Sequence, residues 1–452
     1  MKATPPPSSE SPLDRAPGPR LPTLVWAWLR HRGDFIGIFE EMFERYGAPF
    51  QLPVMGAIFV SQSAESARRI LITEMRRFEK TEFVEVFEEL LGRGLVTADG
   101  DLWRRHRHAL NKVIRPTAVQ RILRTMEPIL HRKVDSLDTW AGAGEINAYP
   151  TMKRLILELT GNALLGLEEA DQLLVLETTE RFFDRIEGMK GNLQWLRWLN
   201  PLAEIRLKRL MARNDARLFA AIQKRRAEGG EGHDLISLLV RTLNDDGTPA
   251  LSDAEIRDEA MTFLCAGYET TAGALSWALL MLSQHPEIQE ELAQQVLAIK
   301  PDGHLTMEDL DAIPLATHVF QEALRLYPPT WALARRVNTD SALEGVSLRA
   351  GTLVVLALYS LHRAAQYWPD PDAFRPSRFA DESDYNRDAY QPFISGGRAC
   401  IGRGLAMKEG PLTIACLVGR YRFRLKAGQS TTPRAQILIQ PPRRMMFEYE
   451  RR

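Results

Sequence analysis

Two short stretches of the sequence combine reactive side chains with unusual surroundings. Cys400 follows two glycines and an arginine, and Gly402 comes just before a predicted helix. A thiolate there would be stabilised by the helix dipole and by free backbone N–H groups, which favours a metal ligand over a plain buried cysteine. Glu269 and Thr270 lie in a long apolar run, where an acid and a hydroxyl can transfer protons. The alternative for Glu269 is a paired acid in the core.

The apolar run around Glu269 is long enough to cross a bilayer, but its flanks indicate a helix buried inside a protein. Ser252 and Glu255 form the pattern of a capping box, and His285-Pro286 is a stop signal. A charge at the centre of a bilayer would also cost roughly 2–3 kcal/mol. We therefore expect one helix from Ser252 to His285, about 50 Å long at 1.5 Å per residue, with Glu269 in its middle.

Three further groups of charged or aromatic residues have spacings that bring side chains together. Trp103 and Arg107 are four residues apart on a predicted helix, so both can approach the same group. Glu322 and Arg325 are one helical turn apart and can pair, although such a pair is common on protein surfaces. Arg398, two residues before Cys400, can donate charge-assisted hydrogen bonds to a carboxylate.

The whole chain indicates a mainly α fold with small β-sheets, in the α+β class. Helical spacing dominates from about residue 100 to 300, and strand-like alternation occurs near residues 345–360 and 421–450. Residues 1–25 are proline-rich and predict a disordered leader, so residues 26–452 are expected to form a single domain. Basic and acidic residues balance at 58 each, which argues against nucleic acid as a partner.

The cysteines and the N-terminal sequence point to a reducing compartment. Cys265, Cys400 and Cys416 fit neither a disulfide framework nor a zinc site, and we expect Cys265 and Cys416 to pack in the core. The N-terminal residues lack an apolar run of signal-peptide or membrane-spanning length, so we expect no signal peptide and no transmembrane anchor. We therefore expect a cytoplasmic protein.

The segment Phe393–Gly402 resembles the haem-binding loop of the cytochrome P450 superfamily at every signature position. Ala266–Thr271, Glu322–Arg325, Phe374–Phe379 and Trp103–Arg107 resemble four further motifs of that family, each at the expected place in the chain. The resemblance extends from about residue 30 to the end of the chain. It implies the cytochrome P450 fold, in which a long central helix lies over a haem.

The resemblance also implies a role for each matched residue. Cys400 would be the axial thiolate ligand of haem b (iron protoporphyrin IX), donating electron density to the metal. The other predicted cofactor-binding residues are Trp103, Arg107, Arg335, Phe393, Arg398 and Gly402. The predicted buried structural triad is Glu322, Arg325 and Arg378.

The predicted catalytic residues all lie on the central helix. Gly267 would leave space for oxygen, Thr270 would donate a proton, and Glu269 would supply protons through water. We expect Thr271 to bond a helix carbonyl instead. The predicted substrate-pocket residues are Ala266, Thr330 and Leu333, and Trp195 and Trp198 fall where the family has its substrate-entrance helices.

The implied function is a haem-thiolate monooxygenase that inserts one oxygen atom from O2 into a lipophilic small molecule, such as a terpenoid, fatty acid or sterol-like compound. The sequence contains no visible flavin or iron–sulfur module, so electrons are expected from a separate ferredoxin or flavodoxin with its reductase. We expect that partner to dock near four basic residues, Arg104, Arg105, Arg403 and Lys408.

Two other functions remain open at this stage. A peroxide-driven haem enzyme or a haem-thiolate isomerase would share the fold, but such relatives usually lack the acid and alcohol present here as Glu269 and Thr270. A haem-binding gas sensor or ligand carrier would bind the cofactor without turning over any substrate.

Overall fold

The structure is a computed structural model that describes residues 15–54, 57–188 and 201–452. The chain divides into two compact units. The first unit comprises the described parts of Met1–Thr81 together with Thr330–Ala373 and Glu382–Ala399, and the second comprises the described parts of Glu82–Pro329 with Phe374–Asp381 and Cys400–Arg452. One boundary falls between Ala399 and Cys400, inside the predicted haem-binding loop.

The first unit is built on a five-stranded sheet with the order β1-β2-β8-β5-β3. Its strands, together with the two-stranded ribbon β6-β7, are β1 (Phe50–Leu52), β2 (Ile58–Ser61), β3 (Phe78–Glu79), β5 (Leu333–Val337), β6 (Ser341–Leu343), β7 (Val346–Leu348) and β8 (Leu353–Leu356). Its helices are α1 (Leu21–Arg30), α2 (Phe35–Tyr46), α3 (Ala64–Arg68) and α15 (Leu358–Leu361). Strand β2 pairs with β1 in antiparallel and with β8 in parallel orientation.

The second unit is mainly helical. Its helices are α4 (Glu88–Leu91), α5 (Gly100–Val113), α6 (Pro116–Asp135), α7 (Leu137–Trp140), α8 (Ala148–Leu165), α9 (Glu169–Gly188), α10 (Pro201–Ala227), α11 (Leu235–Arg241), α12 (Asp253–Gln284), α13 (Pro286–Ile299), α14 (Pro314–Leu326) and α16 (Arg403–Arg420). Its strands are β4 (Glu145–Asn147), β9 (Tyr421–Leu425), β10 (Arg434–Ala435), β11 (Ile439–Gln440) and β12 (Met446–Arg451). They form a three-stranded sheet, β4-β12-β9, and a small ribbon, β10-β11.

Helix α12 is the axis of the second unit, and both of its ends follow the sequence signals. The Ser252 hydroxyl accepts from the Glu255 backbone at 3.3 Å, and the Glu255 carboxylate accepts from the Ser252 backbone at 2.9 Å, so the capping box is present. The helix ends at Gln284, and Pro286 begins α13. Helices α8, α14 and α16 pack along α12 and bury it on most sides. In the part of the chain that the structure describes, no helix has the length and hydropathy needed to cross a bilayer.

The architecture confirms the predicted mainly α fold with small sheets. The predicted boundary of the leader at residue 25 falls inside α1, because apolar side chains from Leu21 onward form a helix there. The single domain at 26–452 stays a prediction. Trp195 and Trp198 lie outside the described residues.

Candidate active site

One face of α12 is open although the rest of the helix is buried. Phe263, Ala266, Gly267 and Thr270 are accessible to solvent, while Tyr268 and their other neighbours on the helix are buried. The four accessible residues are spaced at i, i+3, i+4 and i+7, so they form a single stripe. The structure therefore brings Ala266, Gly267 and Thr270 together on one accessible surface.

Gly267 and Thr270 each make a specific local contribution to this stripe. A Cβ added to Gly267 would meet Thr160 Cγ2 at 3.9 Å, an ordinary van der Waals distance, so packing within the protein does not demand a glycine there. The Thr270 hydroxyl donates to the Ala266 carbonyl at 2.6 Å. The carbonyl bond that the sequence analysis assigned to Thr271 is thus made by Thr270, whose Oγ1 must rotate before it can donate elsewhere.

Glu269 is buried on a different side of α12 from the accessible stripe. The Tyr149 hydroxyl on α8 donates to Glu269 Oε1, and Gln440 Nε2 on β11 approaches the same oxygen at 3.4 Å. The other oxygen, Oε2, is buried and has no hydrogen-bond partner among the described residues. Burial raises the pKa of Glu269, although Lys153 and Tyr149 act in the opposite direction. This carboxyl group is therefore biased toward holding a proton.

Lys153 links the surroundings of Glu269 to the surface of the second unit. Its ammonium lies 5.0 Å from the centre of the Tyr149 ring and 2.6 Å from Glu180 Oε1 on α9. Lys153 is almost buried, whereas Glu180 is about half exposed. Tyr149, Lys153 and Glu180 thus form a polar path between Glu269 and solvent.

Cys400 lies immediately before α16, whose N-cap is Gly402. Its thiol is accessible, but the surrounding protein is close enough that burial raises its pKa. The backbone of Gly402 and Arg403 and the positive charge of Arg107 act in the opposite direction and favour the thiolate. Among the described residues, no group of three or more His, Cys, Asp or Glu side chains could hold a metal ion. Cys400 would therefore act as a lone protein ligand, which suits an iron whose remaining ligands come from a macrocycle.

The other two cysteines behave as expected. Cys265 and Cys416 are buried, and burial raises the pKa of each thiol to about 12. They belong to the core.

Helix α5 carries Trp103 and Arg107. It is joined to α12 by a charged cluster of four residues, Arg105, His106, Glu255 and Glu259. His106 Nδ1 lies 2.6 Å from Glu259 Oε1, and both side chains are fully buried. Arg105 pairs with Glu255, the residue that also completes the capping box of α12. Burial alone would lower the pKa of His106, but Glu259 and Glu255 hold it above its usual value. The start of α12 and the helix that carries Trp103 and Arg107 are thus held together by charge.

Glu322, Arg325 and Arg378 meet as a buried ionic triad. Arg325 donates to both Glu322 oxygens, at 2.7 and 2.8 Å, and Arg378 Nε donates to Oε1 at 3.2 Å. The backbone N–H of Arg375 adds a fourth bond at 3.0 Å. The structure thus brings these three residues into contact, and their role as a structural triad that retains a cofactor stays a prediction.

Five of the predicted site residues belong to the first unit. Arg335 is buried in β5, where its Nη1 donates to the Ala334 carbonyl at 2.9 Å. Thr330 and Leu333, just before and at the start of that strand, are partly buried, as are Phe393 and Arg398. Their assignments as cofactor-binding or pocket residues stay predictions.

The glycine that opens the turn before Arg398 is required by the fold of the first unit. Gly396 has a φ of +75°, and a Cβ there would lie 1.8 Å from the carbonyl oxygen of Leu71. Any other residue would have to displace that backbone. Gly396 therefore has a packing reason as well as the one implied by the motif.

Three of the four cations predicted to dock a redox partner are paired within the chain. Arg104 pairs with Asp101, Arg105 with Glu255, and Lys408 with Asp311 at 2.6 Å. Their positive charge is partly compensated, which weakens the case for a strongly basic docking face.

Sequence reasoning missed the residues that hold Glu269 and Arg107 in place. Tyr149 and Gln440 reach Glu269 from positions 120 and 171 residues away, and no local pattern marks either of them. The missed His106 lies inside the Trp103–Arg107 motif, and a histidine between two arginines was its only signal.

Comparison with known proteins agrees with this geometry. The family model for cytochrome P450 matches residues 16–448. Cyclooctatin synthase of Streptomyces melanosporofaciens is 31% identical over 379 residues, covering 80% of each chain. Pentalenene oxygenase of Streptomyces avermitilis is 28% identical over 385 residues, covering 83% of this chain and 84% of the relative.

The solved crystal structure of the cytochrome P450DA heme domain has the same fold, with a TM-score of 0.88 at 23% identity and coverage of 98% of both chains. The family match spans nearly the whole chain, and the oxygenase relatives span most of it. The chain therefore belongs to the cytochrome P450 family and is a monooxygenase of the oxidoreductase class.

Proposed function

We propose that this enzyme inserts one oxygen atom from O2 into a terpenoid, with haem b ligated by Cys400. The observation that carries the proposal is the accessible stripe of Phe263, Ala266, Gly267 and Thr270 in the middle of an otherwise buried helix. An apolar surface with one hydroxyl is suited to a lipophilic substrate that must meet a proton donor. The names of cyclooctatin synthase and pentalenene oxygenase support a terpenoid over a fatty acid or sterol.

The second unit offers a donor set that fits a haem. Cys400 would ligate the iron, and Trp103 and Arg107, both on α5, would hold a propionate. An added Cβ at Gly402 would meet the Cys400 sulfur at 3.8 Å, so the glycine leaves that surface of the loop flat. When bound, the haem supplies the redox chemistry that activates O2.

The protein residues on α12 would control protons and water. Phe263 and Ala266 exclude water and orient the apolar substrate. Thr270 delivers a proton from Oγ1 after its hydroxyl leaves the Ala266 carbonyl. Glu269, whose raised pKa favours the protonated form, would hold the next proton and be refilled from the side of Lys153 and Glu180. Because its carboxyl group faces Tyr149 and not the accessible stripe, transfer to Thr270 requires a bridging water or a rotation of the Glu269 side chain.

Electrons would come from a separate ferredoxin or flavodoxin with its reductase. Because Arg104, Arg105 and Lys408 are paired with acids, we expect docking to depend on Arg403 and to have a shallow salt dependence. The cytoplasmic location stays a prediction.

A spectral titration of the purified ferric holoenzyme tests the substrate class. Pentalenene, a long-chain fatty acid and a sterol are each added, and a saturable shift of the Soret band is expected for the terpenoid. A shift with the fatty acid or the sterol alone would overturn the terpenoid assignment. Product formed under oxygen enriched in a heavy isotope must carry one labelled atom.

Two variants test the assigned residues. Cys400→Ser should lose the thiolate-type carbon monoxide spectrum, whereas Cys416→Ala, at a buried cysteine of α16, should keep it. Thr270→Ala should release peroxide in place of product. Retention of the thiolate spectrum in Cys400→Ser, or unchanged coupling in Thr270→Ala, would contradict the assignments.

A further inference from the structure

The N-terminal part of the first unit has a composition unlike the rest of the chain. Residues 15–33 contain four arginines (Arg15, Arg20, Arg30 and Arg32) and no acidic residue, although the whole chain has no net charge. The same stretch contains two of the nine tryptophans. Basic residues next to tryptophans are typical of segments that lie at a membrane surface.

Helix α1 in this stretch turns its large apolar side chains outward. Trp26 is 53% exposed, Trp28 48% and Leu29 60%, whereas Ala27 on the opposite side is fully buried. At 100° per residue, the exposed side chains form one continuous arc of about 160° around the helix. We call this surface the α1 apolar face; its residues are Leu21, Val25, Trp26, Trp28 and Leu29.

The α1 apolar face is the densest group of exposed large apolar side chains in the described residues. Five of the thirteen such side chains lie within its ten-residue helix, and Phe35, at the start of α2, adds a sixth nearby in the chain. Single exposed apolar residues need no explanation, but a contiguous group marks an interaction surface. The helix buries its narrow side, with Ala27 and Leu24, against a core cluster that includes Phe39 and Met42.

Exposed arginines flank the α1 apolar face along the chain, with Arg15 and Arg20 before it and Arg32 after it. Arg15, Arg20 and Arg32 are exposed, and the Arg30 guanidinium lies 4.8 Å from the centre of the Trp26 ring while pairing with Glu41 at 3.6 Å. The next acid along the chain, Asp34, is engaged in capping α2 through bonds to Ile36 and Gly37. The surface therefore combines an apolar centre with a positive rim.

This combination selects among possible occupants. A second copy of the chain would place two positive rims against each other. Residues 1–14 contain only Met1 and Leu13 as large apolar residues, too few to match five. A bilayer that contains anionic lipids offers an apolar interior for the tryptophans and negative headgroups for the arginines.

We propose that α1 is an interfacial helix that seats the first unit on an anionic lipid bilayer. The helix lies in the plane of the headgroups, with the α1 apolar face toward the acyl chains and Arg15, Arg20 and Arg32 at the level of the phosphates. The proposal goes beyond the proposed function and does not depend on the identity of the substrate.

Sedimentation of the full-length holoenzyme with vesicles tests this proposal. Vesicles of phosphatidylcholine alone are compared with vesicles enriched in phosphatidylglycerol. Binding is expected to be strong on the anionic vesicles, weak on the neutral ones, and reduced by salt.

Two sets of variants separate the apolar from the electrostatic contribution. Trp26→Ser with Trp28→Ser and Leu29→Ser should lower the partition coefficient about 100-fold or more, given the area these side chains would bury. Arg15→Gln, Arg20→Gln and Arg32→Gln should each lower binding to anionic vesicles about fivefold and leave binding to neutral vesicles unchanged.

The matched control is Leu173→Ser with Leu243→Ser, which alters side chains of similar exposure elsewhere in the chain. It should bind vesicles like the wild type. Every variant should keep the haem spectrum and the unfolding midpoint, because the substituted side chains face outward. These readouts also show whether a failure belongs to the haem site or to the membrane surface.

Three outcomes would overturn the proposal. The first is a triple serine variant that binds as well as the wild type. The second is a wild type that does not sediment with anionic vesicles. The third is a concentration-dependent dimer, or a complex with an acidic redox protein, that the serine variant abolishes in the absence of any lipid binding.

Discussion

Helices α14 and α12 each bury a glutamate, and the two carboxylates differ in their hydrogen-bond partners. Glu322 on α14 is held by Arg325, Arg378 and a backbone N–H, with every bond at 3.2 Å or less. Glu269 on α12 has one strong donor, Tyr149, and one buried oxygen with no hydrogen-bond partner among the described residues. Two cations hold both oxygens of the first acid, whereas burial raises the pKa of the second and favours its protonated form. Equal burial therefore does not mean equal function.

Removing the charge of Glu322 should have the largest effect on stability. Glu322→Gln would leave two buried arginines without their carboxylate, and the free energy of unfolding should fall by about 3–5 kcal/mol. Chemical denaturation followed by circular dichroism measures the loss. The control Glu450→Gln, in the exposed pair with Arg424, should cost less than about 1 kcal/mol. A similar loss in both variants would show that the triad stabilises the fold no more than an exposed ion pair does.

Glu409 on α16 extends the comparison to an acid whose pKa is shifted by burial. It is buried, and burial raises its pKa to about 8. An acid whose pKa is higher in the folded state binds the extra proton when folded, so stability falls as pH rises from 4.5 toward 8. Between pH 4.5 and 7 the wild type should lose roughly 3 kcal/mol from this group. Glu409→Gln should remove that part of the pH dependence, and an unchanged profile would contradict the raised pKa.

Tyr149→Phe should turn Glu269 into a still weaker acid. Its hydroxyl stabilises the charged carboxylate, so its loss raises the pKa of Glu269 further. The cost should be small near pH 4.5 and grow to about 1–3 kcal/mol as pH rises and the carboxylate ionises.

Unfolding at a series of pH values measures this effect, and Tyr421→Phe is the control. Tyr421 donates to the neutral Val134 carbonyl at 2.9 Å, so its loss should be independent of pH over the range in which Glu269 titrates. The carboxylic C=O band in infrared difference spectra, assigned with Glu269→Gln, should persist to higher pH in Tyr149→Phe. A band that disappears at the wild-type pH would show that Tyr149 does not set this acidity.

Gly267→Ala should have the smallest effect on folding and a clear effect on ligand binding. The new Cβ meets one atom at 3.9 Å, so the better helix propensity should raise stability by about 0.5–1 kcal/mol. The spectral response to substrate should weaken, because the methyl group projects from the accessible stripe. Gly410→Ala is the contrasting control, since its Cβ would lie 2.3 Å from the Phe320 ring and should cost about 1–3 kcal/mol.

The features that could be predicted from sequence are those with local signals. The ends of α12 follow from Ser252, Glu255 and the His285-Pro286 stop, because caps and breakers act within one helical turn. The association of Arg378 with Glu322 spans 56 residues and was predictable only through the family motif. The donors to Glu269 come from α8 and β11, and tertiary packing alone brings them there. The fold could thus be predicted from the sequence pattern, whereas the residues that set the pKa of Glu269 could not.

The charged cluster of Arg105, His106, Glu255 and Glu259 limits how this enzyme can be re-engineered. Any substitution that rotates or shifts α12 to reshape the substrate surface also pulls on α5, the helix that bears Trp103 and Arg107. Changes in substrate preference and changes in haem affinity should therefore appear together in variant libraries. Libraries that keep these four residues and vary Phe263 and Ala266 should change substrate preference without changing haem affinity.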